Sequence, residues 1–271
     1  MTRLLGSEIR RLTSRRLVRW SLLVAVALVI VLVVIVTATS DRSSLDPGDA
    51  MRMTQLWLTR ATAESRRANR DNAIATISVL TYLLVIVLGA SAVGAEYRAG
   101  TVGTVLTWEP RRVRLLAARL AAVAIVAMLF FLIVHAVFIG AWAIGVAING
   151  RSGGADADFW RELLVLLGRA TLLAGVLAVM SGAITTLTKN TGGAMGLWFG
   201  YLIAIEAILR GQVDSVIPWL MTINIGAFYA WESVAQNGHT ATAGPGGLRI
   251  ALYAVLLVGA ALALFQRRDV T

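Results

Sequence analysis

From Leu120 to Gly150 the chain carries no Lys, Arg, Asp or Glu, and from Asn72 to Ala95 it again carries none. A soluble core has no need of uninterrupted apolar runs of this length. A membrane does, because a helix needs about 20 mostly apolar residues to cross a hydrocarbon layer about 30 Å thick. Six such runs are legible: 20–38, 73–95, 120–148, 163–187, 194–209 and 248–266. Composition points the same way, with 58% hydrophobic and 15% charged residues, against roughly half and a quarter in a soluble domain. The chain is therefore expected to be an all-α membrane protein, a single transmembrane domain over 1–271 with six transmembrane helices. The third run exceeds one perpendicular crossing, so it must tilt or project beyond the lipid.

The segment Ser215 to Trp231 is apolar but short. It contains Pro218, Asn224 and Gly226 and ends in Phe228, Tyr229 and Trp231, residues that favour turns and membrane interfaces. It reads as a re-entrant element before the last span. Non-helical backbone at that depth requires cover from protein or a water-filled cavity.

Charge placement sets the topology. With the amino terminus in the cytoplasm, fourteen basic residues fall on cytoplasmic pieces and ten on outer ones, the direction of the positive-inside rule. An even number of spans then brings the carboxyl terminus, with Arg267 and Arg268, to the same side. The outer loop Thr39 to Asp71 runs against the rule, with six Arg nearly balanced by Asp41, Asp46, Asp49, Glu64 and Asp71. The net charge of +10 so placed faces anionic headgroups. Membrane lipids are the expected partners of that charge, and nucleic acid is not.

Residues 1–19 place Leu4, Leu5, Ile9, Leu12 and Leu17 among arginines at roughly helical spacing, which suits an interfacial amphipathic helix. Ser14-Arg15-Arg16-Leu17-Val18 loosely matches a twin-arginine signal. The apolar run behind it is too long for a cleaved signal, and no Ala-x-Ala site follows. There is no Cys, so thiol chemistry and disulfides are excluded.

Ionisable groups inside spans are candidates for function. Arg169 and Glu206 both fall in the outer halves of consecutive spans, four and five. A pair between them would lower the burial cost of each; snorkelling of Arg169 to the surface is the alternative. His135 lies mid-span in the third helix, where a lone histidine is more often a hydrogen-bonded core residue than a ligand or relay. Small residues at Gly140 and Gly145, Gly182 and Ala183, and Gly192 through Gly196 and Gly200 allow close helix approach. No catalytic residues and no metal ligands are expected. The sequence has no His-Glu-x-x-His, no Gly-x-Ser-x-Gly and no phosphate-cradling P-loop. If it drives uphill transport, the energy must come from another chain or from an ion gradient.

The polar block between the second and third runs is the most specific feature. Glu96-x-Arg98-x-Gly100-Thr101, then apolar residues, then Pro110-Arg111-Arg112, resembles the connection between spans two and three in the ABC-2 family of exporter membrane subunits. The six-span plan, the amphipathic amino terminus, the broken segment before the last span and the ending Phe265-Gln-Arg-Arg-Asp269 extend the resemblance over essentially the whole chain. It implies an elbow helix at 1–19, a coupling helix within Thr101 to Arg114 of the cytoplasmic coupling region 96–119, and a re-entrant element at 216–231. It also implies a separate ATPase subunit in two copies that binds ATP and Mg, and a second permease copy or close paralogue, all in a bacterial cytoplasmic membrane. The residues that would couple to the ATPase are Glu96, Tyr97, Arg98, Gly100, Thr101, Pro110, Arg111, Arg112 and Arg114. Arg119 stands where many relatives carry a Lys. The physical reading agrees: the arginines offer charge-assisted hydrogen bonds to an acidic partner, Gly100 permits a tight turn, and Pro110 can begin a helix. The expected function is the permease subunit of an ATP-driven exporter. The alternatives are a non-transporting membrane anchor or regulatory subunit, and an ion-driven transporter using His135, Arg169 and Glu206.

Overall fold

The computed structural model describes residues 2–40, 51–53, 73–101, 107, 111–151, 156–231, 234–236 and 239–267. Its helices in chain order begin with α1 (Thr2–Thr13) and α2 (Arg16–Thr39). They continue with α3 (Ala73–Ala99), α4 (Arg112–Asn149) and α5 (Ala157–Thr188). Next comes α6 (Thr191–Phe199), which runs through a π-helical turn (Gly200–Ile205) into α7 (Glu206–Gln212). A 3-10 turn (Asp214–Trp219) leads to α8 (Met221–Ala230), and α9 (Ala243–Arg267) closes the series. The short strands β1 (Met51–Arg52) and β2 (Gly150–Arg151) pair in parallel, and β3 (Val234–Gln236) and β4 (His239–Ala241) pair antiparallel. The fold is all-α, with six helices long and apolar enough to cross a membrane: α2, α3, α4, α5, the α6–α7 rod and α9. The protein is a multi-pass membrane protein.

The helices outrun the apolar runs that predict them. The first span starts at Arg16 rather than Trp20, and the fourth at Ala157 rather than Leu163. The reason is local. The flanking residues are good helix formers, and arginines at helix ends keep their charge in the aqueous zone. Two of the helices begin at a side-chain cap. Asp156 starts α5 by accepting from Phe159 N at 2.9 Å, and Asn190 starts α6 by accepting from Gly192 N and Gly193 N at 2.8 and 3.3 Å. The amino-terminal region divides at Arg15 into α1 and the first residues of α2, so the amphipathic helix is shorter than 1–19. In the apolar windows of α3, α4 and α5, 56%, 50% and 56% of residues are buried. In α2, α6–α7 and α9 the share is 17%. The former three are the more buried helices, and the latter three leave most of their apolar surface uncovered by the described residues.

The chain forms two compact units, and α3, α4 and α5 each supply a stretch to both. One unit comprises 16–84 and 129–171. Its interior stacks Tyr82 on Phe131 and Phe131 on His135, with Phe138 and Trp142 beyond. Polar threads fix its edge. Asn149 Nδ2 donates to Thr37 O at 3.1 Å, and Trp142 Nε1 donates to Arg52 O at 3.1 Å.

The other unit comprises 1–15, 85–128 and 172–271. Val93, Leu116, Leu120, Ala183, Ala261 and Phe265 form one cluster of its core. Ile217, Leu220, Ile223, Ala227 and Ala241 form a second. Gly89 lets α3 and α5 touch, since a Cβ there would overlap the carbonyl of Ala178. The Gly196 and Gly200 pair meets nothing within 4 Å.

Candidate functional site

The polar block begins where α3 stops, and its backbone explains why. Gly100 takes φ +64°, the left-handed conformation that costs glycine no steric strain. Gly100 N donates to Tyr97 O at 3.4 Å and Thr101 N to Glu96 O at 3.1 Å. This paired bonding is the Schellman ending of a helix. It turns the chain sharply and leaves the last residues of α3 rigid.

Those last residues carry a charge lattice. Glu96, 4% exposed, lies between two guanidinium groups. Arg119 Nη1 is 2.5 Å from Glu96 Oε2, and Arg11 Nη1 pairs with Glu96 Oε1. Arg11 Nη2 also donates to Glu8 Oε2 at 2.6 Å, and Arg119 Nε is 3.9 Å from the same Glu8 oxygen. Two carboxylates and two guanidiniums thus alternate, Glu8 and Arg11 from α1, Glu96 from the end of α3, Arg119 from the start of α4. Arg15 adds a fifth group through its Nη1, which donates to Ser91 O at 3.0 Å. Burial pulls the Arg15 guanidinium below its ordinary value, Arg11 acts the same way, and Glu96 opposes both. Glu8 is 5% exposed and Arg119 1%, whereas Arg11 keeps 33% of its side chain exposed, so the lattice is dry around its carboxylates and Arg119 and reaches solvent at Arg11. Charges taken out of water are tolerated only when paired in good geometry.

One face of α1 produces this. Glu8, Arg11, Leu12 and Arg15 follow at helical spacing, and Glu8 and Leu12 are its buried residues. The amphipathic helix therefore has a charged inner face as well as an apolar one. Sequence reasoning missed Glu8 and Arg15, yet a signal existed. Glu8 is the only carboxylate in the first 40 residues, and Glu96 the only one between 72 and 108. A single acid among many arginines is a natural centre for pairing.

The expected coupling residues separate into groups. Glu96 faces inward and positions its neighbours, which removes it from the surface available to a partner. Tyr97 packs against the core around Leu116 and Phe265. Arg98, Gly100, Thr101 and Arg111 are exposed, and Arg112 and Arg114 are half-buried at the start of α4. Residues 102–106 and 108–110, which make up most of the stretch 101–114 where the coupling helix is expected, lie outside the described residues, as does most of the loop 39–71.

A second polar site holds the broken segment before the last span. Glu206 is fully buried. Its Oε1 accepts from Met221 N at 2.6 Å and Thr222 N at 3.2 Å, and its Oε2 accepts from the Thr222 hydroxyl. Arg210, one turn on, bonds the same hydroxyl oxygen at 2.7 Å. A carboxylate from α7 therefore caps the amino terminus of α8, whose amides are otherwise unpaired and whose dipole favours negative charge. The π-helical turn just before Glu206 adds a residue to the helix and so changes the direction of the residues after it.

The carbonyls of the 3-10 turn are also taken. Asn224 Nδ2 donates to Pro218 O and Leu220 O at 2.9 and 2.6 Å. Arg249 Nη1 donates to Pro218 O at 2.8 Å, and Tyr253 OH to Trp219 O at 2.7 Å. Irregular backbone in an apolar setting survives only with such partners. Glu206 finds these partners within its own unit. Arg169 is half-buried on α5.

His135 is a satisfied core residue. Its Nδ1 lies 2.9 Å from Phe131 O and its Nε2 3.0 Å from Ser78 Oγ. The carbonyl can only accept, so Nδ1 carries the proton and Nε2 accepts from the serine.

A family model described as "Protein of unknown function (DUF2705)" matches residues 62–271, well over half of the chain. No curated protein matches it.

Proposed function

We propose, for a chain that belongs to the DUF2705 family, that it is the membrane-spanning permease subunit of an ATP-driven exporter, coupled to a separate ATPase through the connection between α3 and α4. The observation that carries this reading is the buried lattice of Glu8, Arg11, Glu96 and Arg119. A connection between two spans can pass on a partner's motion only if both of its ends are stiff. Here the end of α3 and the start of α4 are bound to each other by a buried ion pair, and to α1 through the buried Glu8 and the partly exposed Arg11. An ordinary basic loop needs no such foundation.

Arg111, Arg112 and Arg114 then form the contact with an acidic partner surface. The sequence has no P-loop, so ATP and Mg belong to the ATPase. The chain works as a pair with a second permease copy, in a bacterial cytoplasmic membrane, with both termini in the cytoplasm.

Affinity purification from the native membrane tests the reading. Recovery of a chain with a P-loop is expected. Joint replacement of Arg111, Arg112 and Arg114 by Ala should leave insertion intact and weaken docking or substrate-stimulated ATP hydrolysis. Recovery of partners without an ATPase among them would favour the anchor role. Unchanged docking and coupled transport in the triple variant would reject this connection as the coupling element.

A further inference from the structure

At the same end of α3, beside the lattice, lies an open cleft of about 570 Å³ lined by Gly94, Tyr97, Arg98, Lys189, Asn190 and Thr191. Its charges differ from those of the lattice. Arg11 and Arg119 meet carboxylates, whereas Arg98 and Lys189 form no ion pair with any described residue. Both are exposed, so the cleft presents two cations that no described carboxylate pairs with.

Lys189 is the only lysine of the chain, and its backbone adopts φ +55°. It follows the last residue of α5 at the position where glycine is usual and a side chain is strained. Thr191 contributes a buried hydroxyl oxygen with no hydrogen-bond partner among the described residues, set against the bare Cα of Gly94. Asn190 spends its Oδ1 on the amides of Gly192 and Gly193. The first amides of α6 are therefore occupied, and its Nδ2 is left as a donor.

We propose that this cleft binds a phosphate group, either the phosphodiester of an anionic lipid headgroup or free phosphate. The Arg98 guanidinium from the end of α3 and the Lys189 ammonium and Asn190 amide from the α5–α6 junction line the cleft, a donor set that suits a phosphate's several oxygens. The volume admits a headgroup and not a folded partner segment. The cleft opens where α3 ends and α6 begins, at the ends of two membrane-crossing helices, the level at which headgroup phosphates lie. The inference is independent of the exporter reading. It assigns Arg98 to the cleft and leaves Arg111, Arg112 and Arg114 as the coupling cations.

The full chain, purified in neutral detergent, can be titrated with short-chain phosphatidylglycerol, phosphatidylcholine and inorganic phosphate, with native mass spectrometry as readout. Phosphatidylglycerol should bind more tightly than phosphatidylcholine. Arg98→Gln with Lys189→Gln should weaken it by roughly thirtyfold. Lys189→Gly relieves the backbone strain, so it should weaken binding while the melting temperature holds or rises. Arg10→Gln, an exposed charge on α1 away from the cleft lining, is the control. Displacement of the lipid by millimolar phosphate would make free phosphate the ligand, and its persistence would make it the headgroup. Equal binding of the two lipids, or equal weakening by Arg10→Gln and the double variant, would overturn the proposal.

Discussion

Arg119 is the largest fully buried side chain in the described structure, and it is a cation. Its Nη1 meets Glu96, while Nε and Nη2 have no hydrogen-bond partner among the described residues. Breaking one side of such a pair leaves a buried charge alone, at a cost of about 3–5 kcal/mol, whereas removing both sides together is far milder. Arg119→Ala and Glu96→Ala are each expected to lower the melting temperature and yield of the purified protein sharply. Arg119→Met combined with Glu96→Gln should recover much of the loss. Additive losses in that cycle would mean that the two groups are neutralised by others. The residues themselves were visible in the sequence, Glu96 as part of a motif and Arg119 as a flanking charge. Their burial was not, because nothing in the spacing of the polar block says that its acid turns inward toward α1.

At the scale of elements, the instructive case is α8. Its sequence has the proline, asparagine and glycine that forbid a simple span, and so a break before the last helix was legible. The means of holding that break was not. Glu206 lies 15 residues before Met221, and only folding brings its carboxylate to the helix start. Glu206→Ala would leave two backbone donors and the Thr222 hydroxyl proton without their acceptor, each worth about 1–3 kcal/mol where it stays out of water. Amide hydrogen exchange over 221–226 should accelerate strongly in that variant. Glu206→Gln, which keeps one acceptor oxygen, should show a smaller increase. Equal exchange in wild type and Glu206→Ala would show that the cap is dispensable. The α3–α5 crossing makes a parallel point. Gly89→Leu forces a side chain into the carbonyl of Ala178. It should destabilise by about 1–3 kcal/mol or more, measurable as a lower melting temperature in detergent.

For the whole molecule, the proposed topology, in which all six helices long enough to cross do so, puts the two termini on one side. The chain has no Cys, so single cysteines report cleanly on topology. Asp158→Cys, at the start of α5, should react with an impermeant maleimide in intact cells, and Ser7→Cys and Gln266→Cys should not. Labelling of Gln266→Cys would promote the 214–230 segment to a crossing of its own. The sequence by itself determined the number of spans, their order and the broken element before the last one. These depend on how apolar residues are distributed along the chain, and lipid reads that distribution directly. Tertiary structure alone decided which charges neutralise which. Glu8 is distant from Glu96 and Arg119 in sequence, and Pro218 is distant from Arg249. In a site without water an ion pair depends on separations of a few ångströms, which packing sets and hydropathy does not encode.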